Sequence, residues 1–400
     1  MPEVATPKKS SGWTTVAFGD VVQLSKERSS DPEADGYERY IGLEHIDPGE
    51  LRVRRWGDIA DGVTFTNVFK PGQVLFGKRR AYQRKVAVAD FSGVCSGDIY
   101  VLEPKGDALL PELLPFICQT DAFFEHAVGT SAGSLSPRTN WKSLAAFEFA
   151  LPSLGEQERL ASALRAADKT IETLQELVVT TETLRQSLIN ELTQPGSETT
   201  TVGDHCKMQN GRPFPGDDYC EDGVLLLRPG NLGSRGYLDW SPDKTKRVPE
   251  HYMAEAEDFV LSDGDVIINL TAQSLEDGFM GRVCLVTSGE PCLLNQRIGC
   301  FRDFSSELVP EFLYRCLQSS RFQKHAVSMC EGSKIKHLFW EHLERFEIPV
   351  MDGNRQRDIC EQLRCVDEQL FQSESRMCEA RHVKEHLLVA TAPDAGEDDR

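Results

Sequence analysis

Five cations stand within eight residues around one tyrosine: Lys78, Arg79, Arg80, Tyr82, Arg84 and Lys85. Guanidinium forks fit the O6 and N7 acceptors of guanine, and ammonium groups suit phosphate oxygens. A solvated hairpin tip would use the same residue types. The surrounding chain, however, holds 44 Lys and Arg against 63 Asp and Glu, a net charge of −19. A lone basic loop in so acidic a chain needs a reason, and nucleic-acid contact supplies one. Arg52, Arg54 and Arg55 form a second, smaller cluster. Farther along, Asn269, Thr271, Gln273 and Ser274 precede Asn295, Gln296 and Arg297. Asn and Gln suit adenine and Arg suits guanine, but ordinary polar loops look alike, so both readings stay open here. Arg138 and Lys142 follow one Gly-Ser turn, and Lys334 and Lys336 follow another. Those four fit phosphate contacts better than base reading.

Other chemistry is missing. The chain has no GxxxxGK[ST] phosphate loop, no HExxH, no GxSxG elbow and no GxGxxG after a strand. It also lacks an Asn/Asp-Pro-Pro-aromatic tetrapeptide. Twelve cysteines include no CxxC pair, which argues against zinc ribbons and for reduced, buried thiols. Nine histidines are scattered, and His126 and His325 sit beside apolar residues as packing groups. The expectation is therefore no catalytic residue, no metal and no cofactor in this chain. A globally basic coat protein is excluded by the net charge. No apolar run approaches the ~18–20 residues of a membrane helix, and residues 1–12 lack an apolar signal core, so the chain reads as cytoplasmic with no membrane partner.

The elements that must position these residues come in two copies. A shift of 199 lays residues 111–168 on 310–367 with 18 identities in 58 positions and no gap. The matches include His126-Ala127-Val128 on His325-Ala326-Val327, Gly133-Ser134 on Gly332-Ser333 and Trp141 on Trp340. Gln157, Leu164, Arg165 and Asp168 meet Gln356, Leu363, Arg364 and Asp367. Upstream the copies drift: Gly19-Asp20 meets Gly203-Asp204 at a shift of 184, and Gly72 meets Gly264 at 192. A shared scaffold with divergent faces suits two different targets.

Each copy opens with short apolar runs broken by Gly, Pro and Asp, which predict strands. A proline-opened helix follows, over 111–128 and 310–327, then the Gly-Ser turn and a long helix. From 156 to 192 there is neither Gly nor Pro, and Leu160, Leu164, Ala167, Ile171, Leu174, Val178, Leu184, Leu188 and Leu192 fall near heptad spacing. Roughly 37 residues give a rod of about 55 Å. Ile359, Leu363, Val366, Leu370, Met377, Val383 and Leu387 repeat the pattern. Leu160, Leu164, Ile171, Leu174, Leu188, Ile359, Leu363 and Leu370 are the candidate helix-pairing and partner-docking residues. The fold expected is α+β, with two tandem, pseudo-two-fold-related mixed α/β modules separated by two long antiparallel coiled-coil helices. The boundaries read as a disordered N-terminus 1–15, a module 16–150, a spacer helix 151–195, a module 199–350, a second spacer helix 351–390 and a disordered acidic tail 391–400.

This order resembles the specificity (S) subunit of a type I restriction–modification system. The resemblance runs from about 16 to 390. It is carried by Leu151-Pro152-Ser153-Leu154-Gly155-Glu156-Gln157 leading into the long helix, and by the stretch 77–102 with Lys78-Arg79, Lys85-Val86-Ala87 and Gly93-Val94-Cys95-Ser96-Gly97. Gly264-Asp265-Val266-Ile267-Ile268-Asn269-Leu270 followed by Leu294-Asn295-Gln296-Arg297 carries it in the second copy. There the approach to the helix keeps only Ile348-Pro349 and Gln356. The resemblance implies two target recognition domains, each reading one half of a split site in double-stranded DNA, with the helices as a ruler. It also implies two methyltransferase (M) subunits as partners, which bring S-adenosylmethionine and methylate adenine, and restriction (R) subunits that use ATP. The rival readings are an acidic two-module scaffold and a DNA mimic that binds a modification enzyme. Neither has a use for the cations of 78–85.

Overall fold

The computed structural model describes residues 13–391. Residues 1–12 and 392–400, where most of the two expected disordered ends fall, lie outside the described part. Trp13 packs on a hydrophobic core and Thr14–Ala17 is a strand paired with Glu148–Leu151, so the fold starts ahead of residue 16. Thr391, assigned to the tail from sequence, is the buried last residue of a helix.

The chain divides into two units, Met1–Gln175 with Ser375–Arg400, and Glu176–Glu374. The division cuts both long helices, Leu154–Leu192 and Gly353–Thr391, each 39 residues. Each unit therefore owns one strand-rich module and half of each helix, which the linear boundaries at 150, 195 and 350 do not convey.

In the first unit a four-stranded antiparallel sheet runs Val22–Leu24, Ile99–Pro104, Val74–Gly77, Val86–Val88. A second sheet runs Gly57–Asp58, Arg39–Ile41, Gly93–Cys95, Asn67–Phe69, with Arg39–Ile41 parallel to Gly93–Cys95. Val74–Gly77 is buried throughout, as a central strand with both faces covered must be. The second unit repeats this plan. One sheet runs Lys207–Asn210, Ile298–Arg302, Val266–Asn269, Val283–Leu285, and the other runs Arg247–Val248, Val224–Leu227, Cys292–Leu294, Val260–Leu261, again with one parallel pair.

The repeat is exact at its hydrogen-bonded staples. Gln157 Oε1 accepts from Leu110 N and its Nε2 donates to the carbonyls of Ala108 and Pro152, each at 2.9 Å. Gln356 makes the same three bonds, to Val309 N, Glu307 O and Met351 O, at 2.8, 2.8 and 2.9 Å. His126 Nε2 meets Ser143 O and His325 Nε2 meets His342 O, each at 2.8 Å. Gly19 and Gly203 allow a close approach, since an added Cβ would stand 2.7 Å from Ala145 Cβ and 2.9 Å from Glu344 Cβ.

Two expectations need correction. The proline-opened helices are broken. Leu114–Ile117 stops before Asp121–Gly129, and Pro310–Leu317 stops before Ser320–Met329. Thr120 and Ser319 accept from Phe123 N and Phe322 N at 3.3 and 3.2 Å, capping a new helix at each break. The heptad stripe also shifts. Leu160, Leu164, Ile171, Ile359, Leu363 and Leu370 are buried and Leu174 and Leu188 half-buried, but Leu184 and Val383 are exposed. Arg185 and Lys384, one residue later on each helix, take the buried places. In the first unit Lys384 Nζ reaches Asp168 Oδ1 at 2.6 Å, and in the second Arg185 Nε donates to Asp367 Oδ1.

Among the described residues no helix is long and apolar enough to cross a membrane, and no cluster could hold a metal. The cysteines are free thiols, mostly buried, and burial pushes the Cys95 thiol up to about 12, away from reactivity.

Candidate nucleic-acid interface

In the first unit the basic loop leaves the strand Val74–Gly77 and rejoins at Val86–Val88, wrapped around a short 3-10 turn, Ala81–Gln83. Arg80 and Arg84 flank that turn, each with φ 54°, in the left-handed region that side chains with a Cβ avoid. Such backbone strain persists only where the surroundings hold it. Here the turn 131–138 does so: Arg80 N donates to Pro137 O at 2.7 Å, and Thr139 N to Lys78 O at 3.0 Å.

Loop and turn share two polar centres. Asp98 accepts from Arg79 Nη1 at 3.1 Å and from Arg138 Nε at 2.9 Å. Ser136 Oγ accepts from Arg79 Nη2 at 3.1 Å and from Arg80 Nη2 at 3.2 Å. Burial pulls the Asp98 carboxyl upward, but Arg138 and Arg79 together outweigh it and hold it below the usual carboxylate value. Lys78 Nζ sits 4.6 Å from the Tyr100 ring centroid, and its pKa is lowered by burial. Arg79 and Arg138 thus share one carboxylate and Arg79 and Arg80 one hydroxyl, with Lys78 beside them, so the mostly half-buried cluster carries more positive charge than Asp98 neutralises. Tyr82 is 56% exposed, and Lys142 stands exposed on the helix Trp141–Ala145. Neither side chain has a partner among the described residues.

Other cations of the cluster serve the fold. Arg84 pairs with Asp121, donates to Gln119 O and covers the Phe124 ring at 4.7 Å. Lys85 Nζ donates to Leu43 O at 2.6 Å. Arg52 and Arg54 reach Glu172 on the long helix at 2.5 and 3.5 Å, and Arg55 reaches Asp47 at 2.5 Å.

In the second unit two expected base readers are buried. Asn269 Nδ2 donates to Thr271 O at 2.7 Å and Phe279 O at 2.8 Å. Asn295 Oδ1 accepts from Gln296 N at 2.7 Å. Both amides shape the ends of strands, and the fully buried Asn269 offers no edge to a base. Thr271 lies half-buried in a short strand, Thr271–Ala272, paired with Lys336–His337. Gln273, Gln296, Arg297 and Lys334 are exposed and Lys336 half-exposed, none with a side-chain partner among the described residues. Arg297 has φ 73°. Of the four non-glycine residues with positive φ among the described residues, three are arginines of these loops.

Sequence reasoning missed the organising Asp98 and Ser136, which look like ordinary loop residues. It also missed the exposed Phe339, against which His337 stacks with ring centroids 6.0 Å apart. Six of the eight candidate docking residues of the long helices are buried inside the units, Leu174 and Leu188 being half-buried: Leu160 and Leu164 join the core of the first, Ile359 and Leu363 that of the second. A residue buried in its own chain cannot also face a partner. Among the described residues, the large apolar groups left outward on these helices are Leu177, Val179, Leu184 and Phe371 in the second unit, and Leu154, Val383 and Val389 in the first.

The sequence pattern of the type I restriction modification DNA specificity domain matches residues 10–180 and again 195–376. The type I restriction enzyme MjaVIII specificity subunit of Methanocaldococcus jannaschii is 22% identical over 386 residues, covering 89% of this chain and 86% of that relative. The EcoAI specificity subunit of Escherichia coli is 25% identical over 164 residues, covering 41% of this chain and 27% of its own. The crystal structure of a type I restriction–modification S subunit from M. genitalium aligns with a TM-score of 0.65 at 15% identity, covering 98% of this chain and 99% of its own. A chain solved in work on assembly and conformational transition of a type I system aligns with a TM-score of 0.56 at 18% identity, covering 97% and 98%. Two solved folds of the same plan and two tandem matches of one pattern agree with the doubled architecture seen here, and the chain belongs to the type I restriction modification DNA specificity domain family.

Proposed function

We propose that this chain is the DNA-reading, non-catalytic specificity subunit of a type I restriction–modification complex. Each unit reads one half of a split site in double-stranded DNA. The long helices set the gap between the halves and dock two methyltransferase subunits. Those partners supply S-adenosylmethionine and the methylation of adenine, and ATP-dependent restriction subunits complete the full enzyme.

The observation that carries this reading is the family pattern matched once in each unit, over a frame that holds different polar residues in the two copies. In the first unit Arg80, with Arg79, Arg138, Lys78, Tyr82 and Lys142, forms the contact surface. In the second, Gln273, Gln296, Arg297, Lys334 and Lys336 do so. An acidic scaffold or mimic has no need of three arginines gathered by a serine and an aspartate, one of them on a strained backbone.

The test is co-expression with the modification subunit and mapping of methylated adenines in host DNA by single-molecule sequencing. A split motif with two defined halves around a fixed gap supports the reading. A stable complex without methylation overturns it in favour of a scaffold or mimic. Inserting one helical turn near Val179 should then change the gap and leave both halves intact.

A further inference from the structure

Within 111–168, where the two copies match best, the segment between the Gly-Ser turn and the tryptophan shares no residue. Between the identical Gly133-Ser134 and Trp141 stand Leu135-Ser136-Pro137-Arg138-Thr139-Asn140. Between the equivalent Gly332-Ser333 and Trp340 stand Lys334-Ile335-Lys336-His337-Leu338-Phe339.

The backbone frame around them is the same. Ala132 bridges Arg138 and Glu331 bridges His337 across the base of each turn. Arg79 pairs with Arg138, and Thr271 with His337, tying the turn to the preceding strand loop. Gly133 and Gly332 both take a left-handed φ, 115° and 106°. Behind the turn, Thr139 and Leu338 are buried and donate from their backbone N–H to Lys78 O and Leu270 O at 3.0 and 2.9 Å. A conserved frame thus presents four residues, 135–138 or 334–337, that differ at every position.

The tip of the first turn is Leu135, which is 90% exposed. Its counterpart is the exposed Lys334. A single exposed leucine needs no explanation by itself. Its place does: it crowns a turn whose next residue, Ser136, holds both Arg79 and Arg80. A turn built only to hold phosphate would be cationic or polar in both copies, and leucine has nothing to offer a phosphate. Apolar side chains do recognise the thymine methyl in the major groove, and lysine recognises guanine acceptors.

We propose that this turn is a base-reading element of each unit, with the tip residue, Leu135 or Lys334, in contact with a base edge. This rests on the DNA-reading function above and deepens it, since the turn's cations otherwise serve as phosphate contacts.

The experiment uses the full chain co-expressed with the modification subunit. Leu135→Lys and Lys334→Leu are made separately, along with a variant carrying Lys-Ile-Lys-His in place of residues 135–138. Methylated motifs are then mapped for each. Leu135→Lys should shift preference at one position of one half-site roughly tenfold, leaving the other half-site and the gap unchanged. Lys334→Leu should do the same in the other half. Weaker methylation at an unchanged motif would make the turn a phosphate contact and overturn the proposal. An unchanged motif at unchanged level would remove the turn from the interface. Leu135 is too exposed for its replacement to unfold the chain, so the single variant stays informative where the four-residue exchange fails to fold. Loss of any split motif in the unaltered complex would instead defeat the functional reading itself.

Discussion

At the same position of the repeat, the two units join module to helix in different ways. In the second, Asp367 accepts from Tyr237 Oη at 2.6 Å and Arg315 Nη1 at 2.7 Å, and it also pairs with Arg185. Arg315 is fully buried. In the first, Asp168 pairs among the described residues with Lys384 alone, and the counterparts of Tyr314 and Arg315 are Pro115 and Phe116. There a cavity of about 1590 Å³ opens beside Gln119, Asp168, Glu172 and Lys384. The acids lie 199 residues apart, as do Arg185 and Lys384. Duplication kept the ion pair and let its surroundings diverge into a closed network and an open groove. Apolar stripes are non-directional and tolerate sliding by a heptad, whereas a buried charge must find its partner, so these pairs specify the helix register.

The comparison breaks most sharply at Asp367. Asp367→Ala leaves the buried Arg315 and Arg185 only their longer pairs with Glu311 and Glu182, at 3.4 and 3.6 Å, and should cost about 3–5 kcal/mol in denaturant unfolding. A loss below 1 kcal/mol would show that the network is not what holds the second unit. Next come the loops: Arg80→Ala should lose roughly 1–3 kcal/mol of base discrimination, read as a relaxed position in one half of the methylated motif. Arg84→Ala, whose partners are Asp121 and the Phe124 ring, should leave that motif unchanged and lower the melting temperature instead.

Acid titration sharpens the contrast with a smaller effect. Burial raises Asp367, but Arg315 and Arg185 outweigh it, so its folded value lies below the ordinary carboxylate value of about 4. Its stabilising contribution is present above that value and is lost as pH falls through the depressed one. Asp168 is raised, by burial first, with Lys384 opposing. The folded state then takes up its proton more readily than the unfolded chain, so acidification through this range favours the first unit. Asp168→Asn should therefore cost within about 1 kcal/mol at neutral pH, well under Asp367→Asn, by the same unfolding assay. Smallest of all, Arg80→Gly relieves a left-handed backbone. It should raise stability by a fraction of about 1 kcal/mol while still losing base discrimination, and a fall in melting temperature would deny the strain.

Much of this was legible in the linear chain. The duplicated order, the two long helices, the Gly-Ser turns and the packing role of His126 and His325 follow from spacing and identity. The break at Thr120 was not, because the hydroxyl that caps a new helix looks like any other threonine until its backbone partner is known. The heptad reading chose Leu184 and Val383, since periodicity favours apolar residues; the fold buried Arg185 and Lys384 because each meets an acid on the other helix. Asn269 and Asn295 were chemically suitable for adenine but are occupied by their own backbone.

The sequence by itself determined the number of modules, their order, the helical rods and the presence of a basic loop in an acidic chain. Repetition and periodicity are properties of linear order, and no tertiary contact is needed to see them. The tertiary structure decided which cations are tied into the fold. Arg84, Lys85 and Arg52 are tied there because Asp121, the Leu43 carbonyl and Glu172 stand within hydrogen-bond reach of them across 37, 42 and 120 residues. Arg79, Arg80 and Arg138 stay together because a turn more than fifty residues downstream of the loop brings Ser136 beside the first two. Charge pairing depends on distance in space, and only the folded chain sets that distance.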